Sequence, residues 1–394
     1  MKLLVGADPE IWIYDNKLGK IISAAGLFPG TKEEPFAVTH GAIQVDGMAA
    51  EYNILPAETV NQFVYYNLSV LCDLRDKIKE LNPDLDFRFE FSPVADFGAE
   101  YIAEQPEEAR RLGCTPDFNA WEGGAINPIP DAEAPFRTAS GHFHLGWTED
   151  QDINDPEFIE ACCMMVKQLD SYVGKKIVHL ENKLCPIKGA KRRELYGKAG
   201  AYRPKPYGVE YRTGSNVWLT NTTRMAVAYQ QVKIAFNDLL ASYRIYESDD
   251  TTARNEINTG VLRFSENDYS APCHDITMER LDGMRDDWAD KCRWEDEDGE
   301  DFAGAEFDDF EFIPADEDEF NDQPAIQPIF QPLPNWNAPA IEAANAPMEG
   351  PWGMDIVEIE ADGGVVFKPV PWPERHRPGV DVDQVLIDDI LAQG

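Results

Sequence analysis

Four short stretches of the chain carry paired polar side chains one residue apart: Asp8 and Glu10, Glu51 and Asn53, His142 and His144, Glu210 and Arg212. On a β-strand, alternate side chains point to the same face, so each pair presents both of its groups together. Carboxylates and neutral imidazoles ligate divalent cations. A guanidinium holds a phosphate in a two-pronged fork. Any one of these pairs by itself is most simply a strand-face salt bridge or a hydrogen-bonded core histidine. All four together are the equipment for phosphoryl transfer: carboxylates and imidazole around Mg²⁺, with cationic side chains on the phosphates.

Two basic features accompany them. Lys191, Arg192, Arg193, Lys198, Arg203 and Lys205 form the densest cationic cluster of the chain. Polyphosphate binding is one reason for such a cluster, and a charge-balancing surface patch is the other. Lys32 follows Gly30, whose missing side chain permits close backbone approach to a ligand. Glu90 is a further candidate ligand.

The elements that must position these groups read as follows. Strands are expected at Lys2–Tyr14, Lys20–Ala25, Asp86–Phe91, Thr138–Trp147 and Tyr207–Leu219, with a hairpin over Gly41–Leu55 that turns at Asp46-Gly47. Apolar residues recur at three and four over Thr59–Leu81, over a segment opened by Asp155-Pro156 and ending near Val173, and over Met225–Glu247, which predicts three helices. Residues 92–136 are rich in Gly, Pro and Asn and read as a long ordered loop.

The 394 residues carry a net charge of −37, unevenly spread. Residues 1–246 hold 26 Lys+Arg against 34 Asp+Glu, an ordinary globular balance; residues 247–394 hold 9 against 38. The chain therefore divides into 1–246, carrying the paired motifs, and an acidic, aromatic-containing extension at 247–394. Within the extension, residues 295–322 combine fifteen acids and no Lys or Arg with five phenylalanines, which suggests a docking segment for this chain or a protein partner. A short β unit is expected in 352–370 and a short helix at Val380–Leu391. This balance argues against direct nucleic-acid or anionic-membrane binding. No apolar run is long enough to span a membrane, and the N-terminal MKLLVGADPE is too short for a signal segment. Seven cysteines without a C-x-x-C argue for buried thiols and a cytoplasmic setting, host cytoplasm if the chain is phage-encoded.

The motifs GADPE, GTK, QVDGMAAEYN, ASGHFHLGW and RRELYGKAGAYRPKPYGVEYRTGSNVWL, spread over residues 1–245, resemble those of the phage-type carboxylate–amine ligases (amidoligase type 2), which are grouped with glutamine synthetase and glutamate–cysteine ligase. The resemblance implies an α+β fold: a glutamine-synthetase-like antiparallel sheet bent into a bowl, with helices outside and the acidic C-terminal extension appended. It implies ATP and Mg²⁺ as cofactors, and a small-molecule or peptide carboxylate and an amine donor as substrates. The two would be joined through an acyl phosphate into an amide or isopeptide. Carried onto this chain, Glu10, Glu51, Glu210 and one of His142 and His144 are the metal set. Glu210, Arg212 and Glu51 are the catalytic set. Arg192, Arg193, Lys198, Arg203 and Lys32 are the cationic residues for the nucleotide. Asp8 is a further carboxylate on the first strand, separated from Glu10 by a proline. Two other functions remain compatible with the residues. One is a non-catalytic phage structural or docking protein built on a ligase-like domain. The other is a metal-dependent amide hydrolase.

Overall fold

The computed structural model describes residues 2–110, 117–128, 134–248, 252–262, 275–295, 355–359 and 365–368. The site is built on six strands: β1 (Leu4–Asp15), β2 (Gly41–Asp46), β3 (Ala49–Ile54), β4 (Gly141–Gly146), β5 (Ala201–Lys205) and β6 (Gly208–Tyr211). They lie in the order β2-β3-β1-β4-β6-β5 within one larger sheet, and every pairing is antiparallel. Phe36–Val38 extends the sheet beyond β2, and Phe118–Asn119 and Ala125–Ile126 extend it beyond β5.

The spine is β1, which changes partner halfway. Leu4–Pro9 pairs with β4, while Glu10 and Ile11 pair with β3. Its last residues pair with Phe87–Glu90 and Lys20–Ile22. Pro9 has no N–H to give to a ladder, so it is tolerated where the β4 pairing ends. Asp8 and Glu10 share a face but lie on either side of this change of partner, so they face different neighbours.

One face of the sheet is apolar and covered by helices. The main helices are α1 (Val60–Leu81), α2 (Pro156–Leu169), α3 (Lys175–Leu184), α4 (Pro186–Leu195), α5 (Thr222–Leu240) and α6 (Leu281–Glu295). The Thr59 side chain caps α1 by accepting from the Gln62 backbone, and Asn221 caps α5 by accepting from Arg224. Phe143 of β4 stacks on Phe63 of α1 and lies 4.8 Å from the Trp218 ring, which joins sheet and helices in one core. The other face carries charge, yet Asp8, Glu51, His142 and Glu210 on it are each at most 5% exposed. The sheet thus curves around its own polar face. The protein is α+β, with an antiparallel sheet forming a bowl and helices outside it, as expected.

Several elements differ from the expectations. Residues 92–136, read as a long loop, include among their described residues the short helices Ala99–Ala103 and Glu107–Arg110 and the short strands Val94–Asp96, Phe118–Asn119 and Ala125–Ile126, and the helix expected over Met225–Glu247 ends at Leu240. The strand expected over Tyr207–Leu219 stops at Tyr211, and Asn216–Thr220 forms a 3₁₀ turn that drops Trp218 into the core. The helix expected to run to Val173 loosens at Asp170–Gly174 into a π turn and continues as α3. The basic stretch 186–195, distinguished in the sequence by its charge, is helix α4.

Beyond residue 246 the chain still packs on this body. Leu281 is fully buried, and Arg75 of α1 grips Asp282 of α6 with two nitrogens at 2.8 and 3.0 Å. Ile257 is buried with Val178 and Ala199. The expected β unit in 352–370 is an antiparallel pair, Asp355–Ile359 with Val365–Lys368. The expected helix at Val380–Leu391 and, save Glu295, the expected docking segment at 295–322 lie outside the described residues.

Candidate functional site

The strand register sets the polar face row by row. Asp8 lies opposite His142, and His144 lies opposite Glu210, which lies opposite Arg203. On the other side of β1, Glu10 lies opposite Glu51, which lies opposite Gln44. Directly opposed residues of an antiparallel pair share a face. The paired motifs of β1, β3, β4 and β6 therefore converge on one concavity.

Within it the carboxylates sort into two groups. Asp8, His144 and Glu210 can each offer a ligand atom within 4.8 Å of the other two, and so can Glu10, Asp46 and Glu51. In the first group, His144 Nε2 is 3.1 Å from Asp8 Oδ1. His142 stands beside it, its Nδ1 3.5 Å from Asp8 and 3.6 Å from Glu210. Burial would raise Asp8, but His144 and His142 outweigh it and hold the carboxyl well below its ordinary range. Burial likewise opposes Glu210, whose pKa Lys205 and Arg203 bring below the ordinary value. Lys205 Nζ is 3.2 Å from Glu210 Oε2, and Arg212 donates to Oε1. Burial, with Arg212 alongside, lowers His142, although Asp8 and Glu210 pull the other way.

The second group is short of positive charge. Burial and the neighbouring Asp46 push Glu10 up to about 7 and raise Glu51 well above the carboxylate range. Lys32 is the cation nearest to hand, 2.9 Å from Asp46. Glu10 also accepts from the Ser140 backbone at 2.6 Å. Three converging carboxylates against one lysine fit a divalent cation, because such an ion removes the repulsion that otherwise favours a proton. Orphaned atoms occur in both groups. Glu51 Oε2 in the second, Asp8 Oδ1 and His144 Nε2 in the first, and His142 Nε2 beside it are buried and make no hydrogen bond. Buried polar atoms are normally satisfied, and ligand atoms awaiting an ion are an exception.

The phosphate-type cations divide into two sets. Arg203, Lys205 and Arg212 line the concavity. The Arg212 Nε donates to Asp117 at 2.6 Å, and another of its nitrogens donates to the Tyr196 hydroxyl. Arg192, expected at the nucleotide, spends its guanidinium within the chain. It donates to the carbonyls of Ala139, Thr213 and Gly214 and to Ser140 Oγ, at 2.9 to 3.1 Å. Gly197 makes room for it: at φ +74°, a Cβ there would meet the Arg192 guanidinium at 1.7 Å. Arg193 is buried in an ion pair with Glu181. Lys198 is exposed. Gly30 does permit a close approach, but the neighbour is β2, whose Ile43 carbonyl lies 2.2 Å from where a Cβ would stand. Glu90 pairs with Arg88 at 3.9 Å rather than joining either carboxylate group.

Two functional candidates were not singled out in the sequence. Asp46 looked like a turn residue, and only the β2–β3 register brings it to Glu10 and Glu51. Asp117 directly precedes the short edge strand Phe118–Asn119, and nothing local announces its contact with Arg212. Behind the site, Asp170 of the π turn accepts from Trp121 at 2.6 Å, Tyr211 at 2.7 Å and Thr213 at 3.2 Å. Tyr211 and Thr213 flank Arg212, so Asp170 anchors the backbone that carries it. Burial raises Asp170 to about 6.

No curated protein matches the chain. A solved structure described as a novel glutamine synthase homolog aligns with 66% of this chain and 65% of its own length, at 13% identity. Its TM-score of 0.27 is too low to support any inference. A family described as "Phage phiEco32-like COOH.NH2 ligase-type 2" matches residues 140–255, a stretch that contains His142, His144, Arg203, Glu210 and Arg212. That match, over less than a third of the chain, is to the family that the sequence motifs resemble.

Proposed function

We propose that the protein is an ATP- and Mg²⁺-dependent ligase that joins a carboxylate to an amine through an acyl phosphate. The observation that carries this reading is the meeting, on one buried sheet face, of two carboxylate groups with Arg203, Lys205 and Arg212. Asp8, His144 and Glu210 would hold one cation, and Glu10, Asp46 and Glu51 a second. Mg²⁺ at such sites supplies neutralisation of charge on the β- and γ-phosphates of ATP.

The substrate carboxylate attacks the γ-phosphorus, the bond to the ADP oxygen breaks, and an acyl phosphate forms. The amine nitrogen then attacks the acyl carbon, the acyl C–O bond breaks with its electron pair going to the departing phosphate, and the proton released from nitrogen passes to that phosphate or to solvent. Arg212 stabilises charge on the transferring group, with Asp117 and Tyr196 holding its guanidinium in orientation. Lys205 and Arg203 attract the phosphates and keep Glu210 ionised. Arg192 and Arg193, already engaged in the chain, are assigned to holding the strands rather than to the nucleotide. Residues 1–246 carry this chemistry, and the extension after 246 begins by packing against them.

Calorimetry of ATP binding in the presence of Mg²⁺ tests the assignment. The unaltered protein should bind, and Glu210→Gln, checked for fold by near-UV circular dichroism, should bind at least roughly ten-fold more weakly. Equal binding by the two would sink the role of Glu210. No binding by either would favour the docking-protein alternative.

A further inference from the structure

His144 has both ring nitrogens committed to different neighbours. Nδ1 lies 2.6 Å from the Tyr207 hydroxyl, and Nε2 lies 3.1 Å from Asp8 Oδ1. The second approach does not meet hydrogen-bond geometry, and both His144 Nε2 and Asp8 Oδ1 are buried without another hydrogen-bond partner. These two unpartnered atoms and a Glu210 oxygen lie within 4.8 Å of one another, close enough to share one ion. An imidazole offers a bare Nε2 only when the proton sits on Nδ1, and the partner at Nδ1 decides which tautomer is favoured.

The fold places Tyr207 for this. Tyr207 lies in the tight turn between β5 and β6, and its carbonyl accepts from the backbones of Trp147 at 3.0 Å and Thr148 at 3.2 Å. The turn is thereby stitched to the end of β4, the strand that carries His144. Burial, with Glu210 and Asp8 nearby, raises the Tyr207 phenol well above its ordinary value, so it stays a neutral hydroxyl able to donate or to accept.

We propose that Tyr207 is a positioning residue: its hydroxyl oxygen accepts the Nδ1–H of His144, leaves Nε2 bare, and so makes His144 a divalent-cation ligand. The inference rests on the reading of Asp8, His144 and Glu210 as a cation site. The reverse arrangement, with the tyrosine donating to Nδ1, puts the proton on Nε2 facing Asp8 and removes His144 from the ligand set.

Two measurements test it. The first is long-range ¹H–¹⁵N correlation on the metal-free, ¹⁵N-histidine-labelled protein. It should show His144 protonated at Nδ1 and bare at Nε2; a proton on Nε2 overturns the proposal whatever the variants do. The second is Mn²⁺ binding by electron paramagnetic resonance in a Glu51→Gln background, which disables the other carboxylate group. Adding Tyr207→Phe should weaken binding roughly 10- to 100-fold, the usual effect of losing such an outer partner. Adding Glu210→Gln should weaken it as well. Unchanged affinity with Tyr207→Phe, alongside a loss with Glu210→Gln, overturns the role of Tyr207 alone. Absence of Mn²⁺ binding in both the background and the unaltered protein overturns the cation site and this inference together.

Discussion

His144 and Glu210 lie directly opposite one another across the β4–β6 pair, so an imidazole and a carboxylate from separate motifs meet on one buried face. Asp8, from the far side of β4, completes the group. A second group forms where β1 turns to its other partner and sets Glu10 against Glu51. The two groups exist because one long strand serves two neighbours.

Glu51→Gln should separate stability from function. Burial and Asp46 already disfavour the Glu51 charge, so removing it relieves repulsion. In EDTA the variant should melt at the same temperature as the unaltered protein or slightly above it. Its Mn²⁺ affinity should fall roughly ten-fold or more as a ligand is lost. Differential scanning calorimetry and Mn²⁺ titration check the two halves.

Arg192→Ala should unfold the site rather than weaken a nucleotide contact. The substitution leaves three buried carbonyls and a hydroxyl without their donor. Urea denaturation should show a loss of about 3 kcal/mol or more. A variant of unchanged stability with weakened ATP binding would return Arg192 to the nucleotide.

His40 should set part of the acid limit of stability. It is buried between the rings of Tyr65 and Tyr66, and that burial lowers it to about 4. A depressed folded-state pKa contributes stability that is present above the unfolded value of about 6.5 and is lost as pH falls through the folded value. Between those limits the loss amounts to about 3 kcal/mol. Denaturation at pH 7 and pH 4 should differ less for His40→Gln than for the unaltered chain.

A chain ending at residue 246 should be less stable than one ending at 295. Truncation removes α6, with its buried Leu281 and the Arg75–Asp282 pair, and uncovers part of α1. Losing the Leu281 contacts alone should cost about 2–3 kcal/mol. Equal melting temperatures would show that α6 contributes nothing to the body.

The paired side chains were legible in the sequence because strand alternation is a local rule. Asp8 with Glu10, and His142 with His144, needed only their spacing to be put on one face. Their division into two groups was not legible, since it depends on where β1 changes partner. Asp46 was hidden for the same reason: its reach to Glu51 follows from hairpin register, while its own neighbourhood reads as a turn. Arg192 shows the opposite limit. A guanidinium in a basic cluster has the same letter whether it meets phosphate or three carbonyls, and only the packing of α4 against the ends of the strands distinguishes them. The core stripe of α1 followed from its apolar periodicity. The π turn at Asp170 did not, because its carboxylate answers to Trp121, Tyr211 and Thr213, all distant in sequence.

The most direct test of the central claim is phosphate release from Mg-ATP, with amino acids, polyamines and ammonia supplied as paired carboxylate and amine substrates, measured for the unaltered protein and for Glu51→Gln. The ligase account predicts release that requires both a carboxylate and an amine and is lost in Glu51→Gln, a variant expected to keep its fold. Release that is independent of substrates, or equal in the two proteins, would contradict it.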